Sequence, residues 1–337
     1  MIYLKNFTLM DEDATYYKGW DRIVRQDTKD EHYPLGLFAL KLREIEFDDI
    51  TIFYGGNGSG KSTLLNLITE TLDIQRLEKY NRTKMFDFFV KRNEYELNDI
   101  KNVPYDSIGA SSIMFPSPYE KRYLKNVDKL QRVPAKSKFI ASDDIFTHIL
   151  NVREENSRIR GKKTTESDYY EQVRSSNYNE YWGDGVHLDM EDQEGIDTFR
   201  KFVDGRSQSR RKFVRDRAGE LQRQFSNGEN AIIYFDKQIE ENALYLLDEP
   251  ENSMSPQFQL QLKTLIEDSV RLKNCQFIIA SHSPFMLSIQ NAKIYNLDKE
   301  PVTVEKWYQL ENMKTYYDFF KLFQYNFEAG NDNTKEE

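Results

Sequence analysis

The chain has 337 residues, of which 39% are hydrophobic and 31% charged, and this composition fits a globular protein with one large domain or two smaller ones. Its 47 basic and 56 acidic residues give a net charge of −9, which excludes an overall positive field for nucleic acid and leaves only local basic segments. The single cysteine, Cys275, excludes an internal disulfide framework, and without a membrane-length apolar run or a signal-peptide pattern we expect a cytoplasmic protein with no membrane span.

The clearest pattern near the start is a strand, a glycine-rich loop and a helix in succession. A loose alternation over Ile2–Leu9 predicts a first strand, and β-branched and aromatic residues predict another at Ile50–Tyr54. The loop GGNGSGKS follows at 55–62, and apolar residues at helical spacing continue from it to Leu72. The loop fits G-x-x-x-x-G-K-[ST] in full, in the strand-to-helix context that this motif requires.

Such a loop, called the phosphate loop from here on, predicts a nucleotide site. Its glycines let backbone N–H groups turn toward phosphate oxygens, and the helix that begins near Lys61 directs its positive end at the same anion. Lys61 would reach the β- and γ-phosphates, and Ser62 would ligate Mg²⁺. The alternative is a glycine-rich turn that binds nothing. The predicted nucleotide contacts are Gly55, Asn57, Gly58, Ser59, Gly60, Lys61, Ser62 and Thr63.

The middle of the chain is polar and highly charged. A strand is predicted at Lys138–Ala141, and a helix follows it. They lie between a segment with several prolines at 77–136 and the charged residues 153–223. An acidic stretch at 184–197 has six acids and no base, and we interpret it as a solvated loop. The basic segment Arg200–Arg223 has nine bases and three acids, and it either solvates a helix, pairs with those acids or contacts nucleic-acid phosphates.

An acidic pair ends the next predicted strand. Leu244–Leu247 is apolar and leads into Asp248 and Glu249. In a parallel sheet this strand end lies beside the phosphate loop, where Asp248 would hold Mg²⁺ and Glu249 would act as general base toward the attacking water. Read alone, such a pair is usually an exposed loop or a helix cap. Its combination with the phosphate loop favours the catalytic interpretation.

A histidine follows a further strand. A helix is predicted at Pro256–Leu272, and the strand Cys275–Ala280 then leads into Ser281 and His282. We interpret His282 as a sensor of the γ-phosphate, and the alternative is a histidine that only makes local hydrogen bonds. A terminal helix is predicted at Tyr316–Phe327.

These motifs together resemble the ABC-type ATPases of the soluble SMC/RecF-like branch and their short bacterial relatives described as AAA-type ATPases. The resemblance is carried by the phosphate loop, by FSNGE at 225–229, by DEPENSMSP at 248–256 and by QFIIASHSPFML at 276–287. In that branch, a Ser-x-Gly turn before the acidic strand is the signature motif, which binds the γ-phosphate held by another subunit. The resemblance therefore implies that Ser226, Asn227 and Gly228 close a homodimer that sandwiches two ATP molecules. The alternative for this turn is a plain helix cap.

The chain departs from the family pattern at three places. The signature turn has Asn227 and Glu229 where glycine and glutamine are usual. The glutamine that couples ATP to the insertion in transport-type members is replaced by Ala141-Ser142-Asp143-Asp144, and the aspartate that usually follows the acidic strand by Ser255. No aromatic residue is identified as the one that stacks on adenine.

We therefore expect an α/β fold of the P-loop NTPase class, an ABC-ATPase-like head with a mainly helical insertion. The head is assigned to 1–76 and 224–328 with a strand near 137–145, the insertion to 77–136 and 146–223, and a disordered tail to 329–337.

The expected activity is hydrolysis of ATP with Mg²⁺, as a clamp or switch. The resemblance implies a nucleic-acid-linked process such as DNA repair or phage defence, with DNA or RNA, or a separately encoded effector such as a nuclease, as partner. One alternative is the ATPase subunit of a membrane transporter, against which the missing glutamine and the charged insertion argue. The other is a non-hydrolysing ATP-gated interaction module, against which Glu249 and His282 argue.

Overall fold

A computed structural model of the chain describes residues 2–11, 32–39, 41–77, 80, 82–97, 100–102, 133–175, 193–221 and 226–332. The chain separates into two compact units. The first consists of Met1–Ile145 and Asn227–Glu337, and the second of Phe146–Ser226.

A six-stranded sheet is the centre of the first unit. Its strand order is β10-β9-β3-β8-β7-β6, in which β10 is antiparallel to β9 and the other neighbours are parallel. The middle strands β3 and β8 are buried along their whole length. Strands that are covered on both faces have mostly apolar sequences, as these two do. The α/β fold class is confirmed. The strands are β3 (Ile50–Tyr54), β6 (Lys138–Ala141), β7 (Leu244–Asp248), β8 (Gln276–Ala280), β9 (Lys293–Asn296) and β10 (Thr303–Glu305).

A second, antiparallel sheet has the order β2-β1-β4-β5. Gln276 connects the two sheets, because its side-chain oxygen accepts hydrogen bonds from the backbone N–H groups of Tyr3 and Leu4, each at 2.9 Å. Its amide nitrogen donates to the carbonyl of Leu4 at 2.8 Å. The strands are β1 (Leu4–Thr8), β2 (Glu44–Glu46), β4 (Glu94–Leu97) and β5 (Ile100–Asn102).

The helix that follows the phosphate loop lies at the heart of the hydrophobic core. It buries Leu64, Leu65, Leu67 and Ile68 completely, in one cluster with residues of both sheets. The helices of this unit are Lys61–Thr71, Lys84–Val90, Asn227–Gln238, Pro256–Lys273, Pro284–Leu287, Glu311–Leu322 and Gln324–Asp332.

The C-terminal segment differs from the prediction. The single helix predicted at Tyr316–Phe327 is two helices that meet at Phe323. The second of them continues to Asp332, so the first part of the predicted disordered tail is helical. Residues 333–337 lie outside the described residues.

Three helices form the described part of the second unit. They are Ser142–Ser175, whose first turn belongs to the first unit, Gln193–Ser207 and Arg210–Ala218. They pack around Phe213, whose ring stacks on that of Tyr169 with centroids 6.3 Å apart. A Cβ atom at Gly205 would lie 3.1 Å from a methyl group of Val173, so the absence of a side chain there allows two helices to approach closely.

The predicted insertion and the two units do not coincide. Residues 77–136 were assigned to the insertion, whereas the helix Lys84–Val90 and strands β4 and β5 lie in the first unit. Met85, Phe86 and Phe89 explain the difference, because they are buried in the cluster that contains the phosphate-loop helix. The acidic residues 184–192 lie outside the described residues, and 193–197 begin a helix rather than a loop. Within the described ranges, no helix is both long and apolar enough to cross a membrane.

Candidate functional site

The phosphate loop has the conformation that its sequence predicts. Gly60 immediately precedes the helix with a φ of 98°, in the left-handed region that glycine occupies without steric cost. Gly55 is required for a different reason, because a Cβ atom there would lie 2.4 Å from the hydroxyl oxygen of Ser59. Both glycines therefore let the backbone fold tightly at the carboxyl end of β3.

Lys61 is buried at the base of this loop, with 5% of its surface exposed. Its Nζ donates to the carbonyl oxygens of Gly55 at 2.7 Å and Gly56 at 3.1 Å, and it lies 3.9 Å from Oε1 of Glu249. A buried ammonium group held by loop carbonyls is a fixed positive charge. It is suited to hold an anion at the mouth of the loop.

The side chain of Ser62, the residue after Lys61, contacts that of Asp248. The Ser62 hydroxyl donates to Oδ1 of Asp248 at 3.0 Å. Burial raises the pKa of Asp248 to about 6, although the Ser62 hydrogen bond acts in the opposite direction.

One hydroxyl and one carboxylate oxygen are a suitable donor pair for Mg²⁺, which usually takes one or two protein oxygens and completes its shell with phosphate oxygens and water. Nowhere in the described residues do three or more His, Cys, Asp or Glu side chains form a metal cluster, and such a site does not need one. The residues present therefore fit the predicted metal.

Glu249 and His282 lie on the other side of Lys61. Glu249 has a φ of 46°, which for a residue with a side chain costs on the order of 1 kcal/mol, and its N–H donates to the carbonyl of Ala280 at 2.9 Å. Its Oε1 lies 3.7 Å from Nδ1 of His282, and its Oε2 accepts from the amide of Asn252 at 3.0 Å. The strained turn thus places a partly exposed carboxylate between an ammonium group and an imidazole.

Strand register explains why residues far apart in the sequence meet. Ala141 is paired with Asp248, and Asp248 with Ala280, so β6, β7 and β8 end at the same level. The predicted site residues Lys61, Ser62, Asp248, Glu249 and His282 are therefore brought together at the carboxyl edge of a parallel sheet, where ligands bind in open α/β folds.

Two further acids were missed by the sequence analysis. Glu251 is buried, and its Oε1 accepts from the Ser281 hydroxyl at 2.5 Å and from the backbone N–H groups of His282 and Ser283 at 3.3 Å. Asp298 accepts from the N–H of Gly56 through both carboxylate oxygens, at 2.9 and 3.0 Å. Glu251 therefore positions the histidine loop, and Asp298 holds the phosphate loop.

An aromatic side chain also reaches the loop. The hydroxyl of Tyr33 is hydrogen-bonded to that of Thr63, and the Tyr33 side chain is 42% exposed. The sequence analysis did not anticipate this contact, because Tyr33 lies in no recognisable motif.

Asp143 and Asp144, in the segment that replaces the family glutamine, differ in their exposure to solvent. Asp144 is buried, and its Oδ2 accepts from the N–H of Ala141 at 2.7 Å. Asp143 is exposed, next to the end of β6. Of the two carboxylates, Asp143 is therefore the one open to solvent beside the strand that ends at Asp248.

The signature turn lies at a helix start, as predicted. Ser226 and Asn227 are exposed, and the helix begins at Asn227. Gly228 is buried, and a Cβ atom there would lie 2.2 Å from the ring of Phe258. Packing therefore also requires a glycine here, because the absence of a side chain lets this helix approach the helix Pro256–Lys273.

Comparisons with known proteins agree with this site. Residues 219–287 match the family model of an AAA ATPase domain, a segment that contains Ser226, Asp248, Glu249 and His282. No curated protein matches the chain.

Solved structures provide more distant likenesses. The chain is similar to a Pyrococcus furiosus Smc head domain with an extended coiled coil bound to the C-terminal domain of ScpA, at 13% identity over 95% of this chain and 100% of that chain, with a TM-score of 0.39. It is similar to a dimeric post-hydrolysis ATP-binding cassette bound to ADP and Pi, at 13% identity over 79% and 90%, with a TM-score of 0.33. A nucleotide-free ATP-binding cassette from an ABC transporter is 16% identical over 88% of both chains, with a TM-score of 0.31.

Scores of this size carry no argument about activity or partners. The family match over residues 219–287 confirms the predicted likeness to AAA-type ATPases, and the phosphate loop at the end of β3 and the acidic pair at the end of β7 have the arrangement of a P-loop ATPase.

Proposed function

We propose that this chain binds ATP with Mg²⁺ and hydrolyses it. One observation carries the proposal: Glu249 lies 3.9 Å from Lys61 and 3.7 Å from His282, and the neighbouring Asp248 is 3.0 Å from Ser62, all at the carboxyl edge of the sheet. A buried cation, a metal-binding oxygen pair, a carboxylate and an imidazole are the groups that phosphoryl transfer to water requires.

Each group has a role that follows from its position. Lys61 and the loop N–H groups would hold the phosphates, and Ser62 and Asp248 would hold Mg²⁺, which when bound would neutralise charge that develops on the phosphate oxygens. Glu249 accepts the proton of the attacking water. His282 is 47% exposed and lies 3.7 Å from Glu249, so it can donate a hydrogen bond to a phosphate oxygen beside that carboxylate.

The same proposal includes a dimer that closes head to tail. The exposed Ser226 and Asn227 at a helix start offer donors to an anion, and the family resemblance assigns that anion to the second subunit. ATP would then hold two copies together, and hydrolysis would release them as a clamp or switch.

The helical unit favours a nucleic-acid-linked process over transport. A cavity of about 750 Å³ there is lined by Lys163, Arg210, Arg211 and Arg215, with Glu220 as the one acid among its described lining residues. Among the described residues, Lys163 and Arg211 make no ion pair, so their charge is available to phosphate groups. DNA repair and phage defence, with a nuclease or other effector, are processes that such an ATPase would serve.

Two variants test the catalytic roles. Lys61→Ala removes the buried cation and should abolish nucleotide binding, whereas Glu249→Gln keeps the shape of the site and should bind Mg-ATP but lose turnover by about a hundred-fold or more. Nucleotide binding and phosphate release are measured on both, with Glu241→Gln, an acid outside this site, as the control. Hydrolysis by Glu249→Gln at the wild-type rate would refute the assignment of the base.

A further inference from the structure

His282 lies in a short loop between strand β8 and the helix Pro284–Leu287. Its side chain is 47% exposed, so surrounding side chains cover only about half of it. The direction of such a side chain depends on how firmly the backbone that carries it is held. The attachments of the loop Ser281–Ser283 therefore decide where the imidazole points.

The hydroxyl group of Ser283 is one of these attachments. It accepts a hydrogen bond from the N–H of Phe285 at 3.2 Å, as the N-cap of the helix that follows. Its own hydrogen is directed to Oε1 of Gln259, 2.6 Å away. Because Ser283 is buried, both hydrogen bonds are shielded from competing water.

Gln259 holds this hydroxyl group in one orientation. Its amide nitrogen donates to the backbone carbonyl of Met254 at 2.9 Å. Since a carbonyl can only accept, the amide group must direct its N–H at Met254 and its oxygen at Ser283. Gln259 lies in the first turns of the helix Pro256–Lys273, where its backbone N–H donates to the carbonyl of Ser255 at 3.0 Å. The side chain therefore joins a regular helix to the loop that carries the histidine.

The same helix also holds the far end of the short helix Pro284–Leu287. Lys263 lies four residues after Gln259 and therefore on the same side of its helix. Its Nζ donates to the backbone carbonyl and to the hydroxyl of Ser288, at 2.9 and 3.0 Å. Gln259 and Lys263 thus attach both ends of the short helix, and His282 stands immediately before the first of these ends.

Glu251 and Gln259 hold the loop at different atoms. Glu251 accepts from the Ser281 hydroxyl and from the backbone N–H groups of His282 and Ser283, whereas Gln259 accepts from the Ser283 side chain. The backbone is therefore fixed on both sides of the Cα atom of His282, and the imidazole turns only about its own side-chain bonds. A donor that is already directed at its acceptor needs no rearrangement during a reaction.

We propose that Gln259 is a positioning residue for His282 and does not itself contact the nucleotide. It sets the direction in which the imidazole donates a hydrogen bond to the γ-phosphate, a role that rests on the ATP hydrolysis proposed above. A displacement of about 1 Å in a catalytic group can cost about a hundred-fold in rate. Loss of Gln259 should therefore lower turnover, whereas ATP binding by the phosphate loop should not change.

The kinetics of Gln259→Met test this role. Methionine has a similar length and volume, but it cannot hold Ser283 and Met254 together as an amide does. The kcat for phosphate release should fall about ten-fold or more, and KM should stay as in the wild type. Gln261→Met makes the same replacement at an exposed residue of the same helix, and this matched control should behave as the wild type. Thermal melts establish that each variant is folded.

A double variant separates positioning of His282 from general stabilisation of the fold. In a chain that already carries His282→Ala, Gln259→Met should lower kcat by less than about two-fold further, because no imidazole is left to position. Equal fold losses in both backgrounds would overturn the proposal, and so would turnover by Gln259→Met at the wild-type rate.

Nuclear magnetic resonance of the imidazole rings keeps the test independent of catalysis. The chain has four histidines, and comparison with His282→Ala identifies the signal of His282. Without nucleotide, this signal should be shifted or broadened in Gln259→Met and unchanged in Gln261→Met. A His282 signal that Gln259→Met leaves unchanged contradicts the positioning role. A wild type that does not hydrolyse ATP contradicts the proposed function instead, and the ring signals still report whether Gln259 holds the histidine.

Discussion

At the scale of single residues, burial of the Asp248 carboxyl group lowers the stability of the folded chain as the pH rises. Its pKa is raised to about 6 from 3.8, mainly by burial. Between these two values the unfolded chain has lost a proton that the folded chain still holds, so folding becomes less favourable as the pH rises. The proposed role of Asp248 in holding Mg²⁺ would account for a carboxylate at this buried position.

Replacing this carboxylate should therefore stabilise the ligand-free protein in one pH window. Asp248→Asn removes the titration, and its stability relative to wild type should increase by about 3 kcal/mol between pH 4 and pH 6.5 and then level off. Chemical unfolding at several pH values, without nucleotide or Mg²⁺, measures this difference. Asp143→Asn, at an exposed carboxylate, is the control and should follow the wild-type curve; an equal slope for both variants would contradict the effect of burial.

Sequence reasoning identified the residues that belong to motifs and missed those whose role depends on contacts. Lys61, Ser62 and Asp248 were predicted because spacing and strand context fix their positions, and the structure places Ser62 in contact with Asp248 and Lys61 3.9 Å from Glu249. Glu251 and Asp298 were missed, since each acts on a loop 30 or more residues away and neither carries a local signal of that contact.

At the scale of elements, the buried strands and the phosphate-loop helix were predictable because they are covered on all sides. The C-terminal helices were not, since an aromatic run such as Tyr316–Phe327 predicts a helix but does not show the break at Phe323. The basic segment Arg200–Arg223 is a third case, because its sequence left its role open. Two of its arginines pair with acids outside the stretch 184–197: Arg210 with Glu171 at 3.0 Å and Arg217 with Asp204 at 2.6 Å.

The helix Arg210–Ala218 is the element to test for nucleic-acid binding. Replacing Arg210, Arg211 and Lys212 with Glu should weaken binding to DNA or RNA by about ten-fold or more, and the salt dependence should flatten by about 2 to 3 in slope, because each lost phosphate contact releases fewer counterions. Basal ATP hydrolysis should be unchanged. Binding is measured by fluorescence anisotropy across a salt series.

The matched control changes the same charge elsewhere in the helical unit. Arg153, Arg158 and Lys162, replaced together with Glu, alter the net charge equally without touching a residue that lines the cavity. If both triple variants bind nucleic acid equally well, or the wild type shows no salt-dependent binding at all, the basic helix has a different role.

At the scale of the whole molecule, the site in one chain is half of what the proposed reaction needs. The five side chains lie together at the carboxyl edge of one sheet, from which they would contact the proposed nucleotide on one side; they are Lys61, Ser62, Asp248, Glu249 and His282. The family resemblance assigns the other side to the signature turn of a second copy. A nucleotide between two copies would contact both. ATP would therefore hold the two copies together, and its hydrolysis would separate them.

Ser226→Arg tests that arrangement directly. A large cation in place of an exposed hydroxyl should spare ATP binding by the single chain but block closure onto the nucleotide of the other copy. We expect the ATP-dependent increase in mass to disappear, measured by sedimentation with Glu249→Gln present to prevent turnover. Thr264→Arg, at another exposed hydroxyl residue, is the control and should dimerise with ATP. Mixing Ser226→Arg chains with Lys61→Ala chains should restore dimers with one complete site, because each chain supplies what the other lacks. Dimers that form with ATP despite Ser226→Arg would rule out the signature turn as the second half of the site.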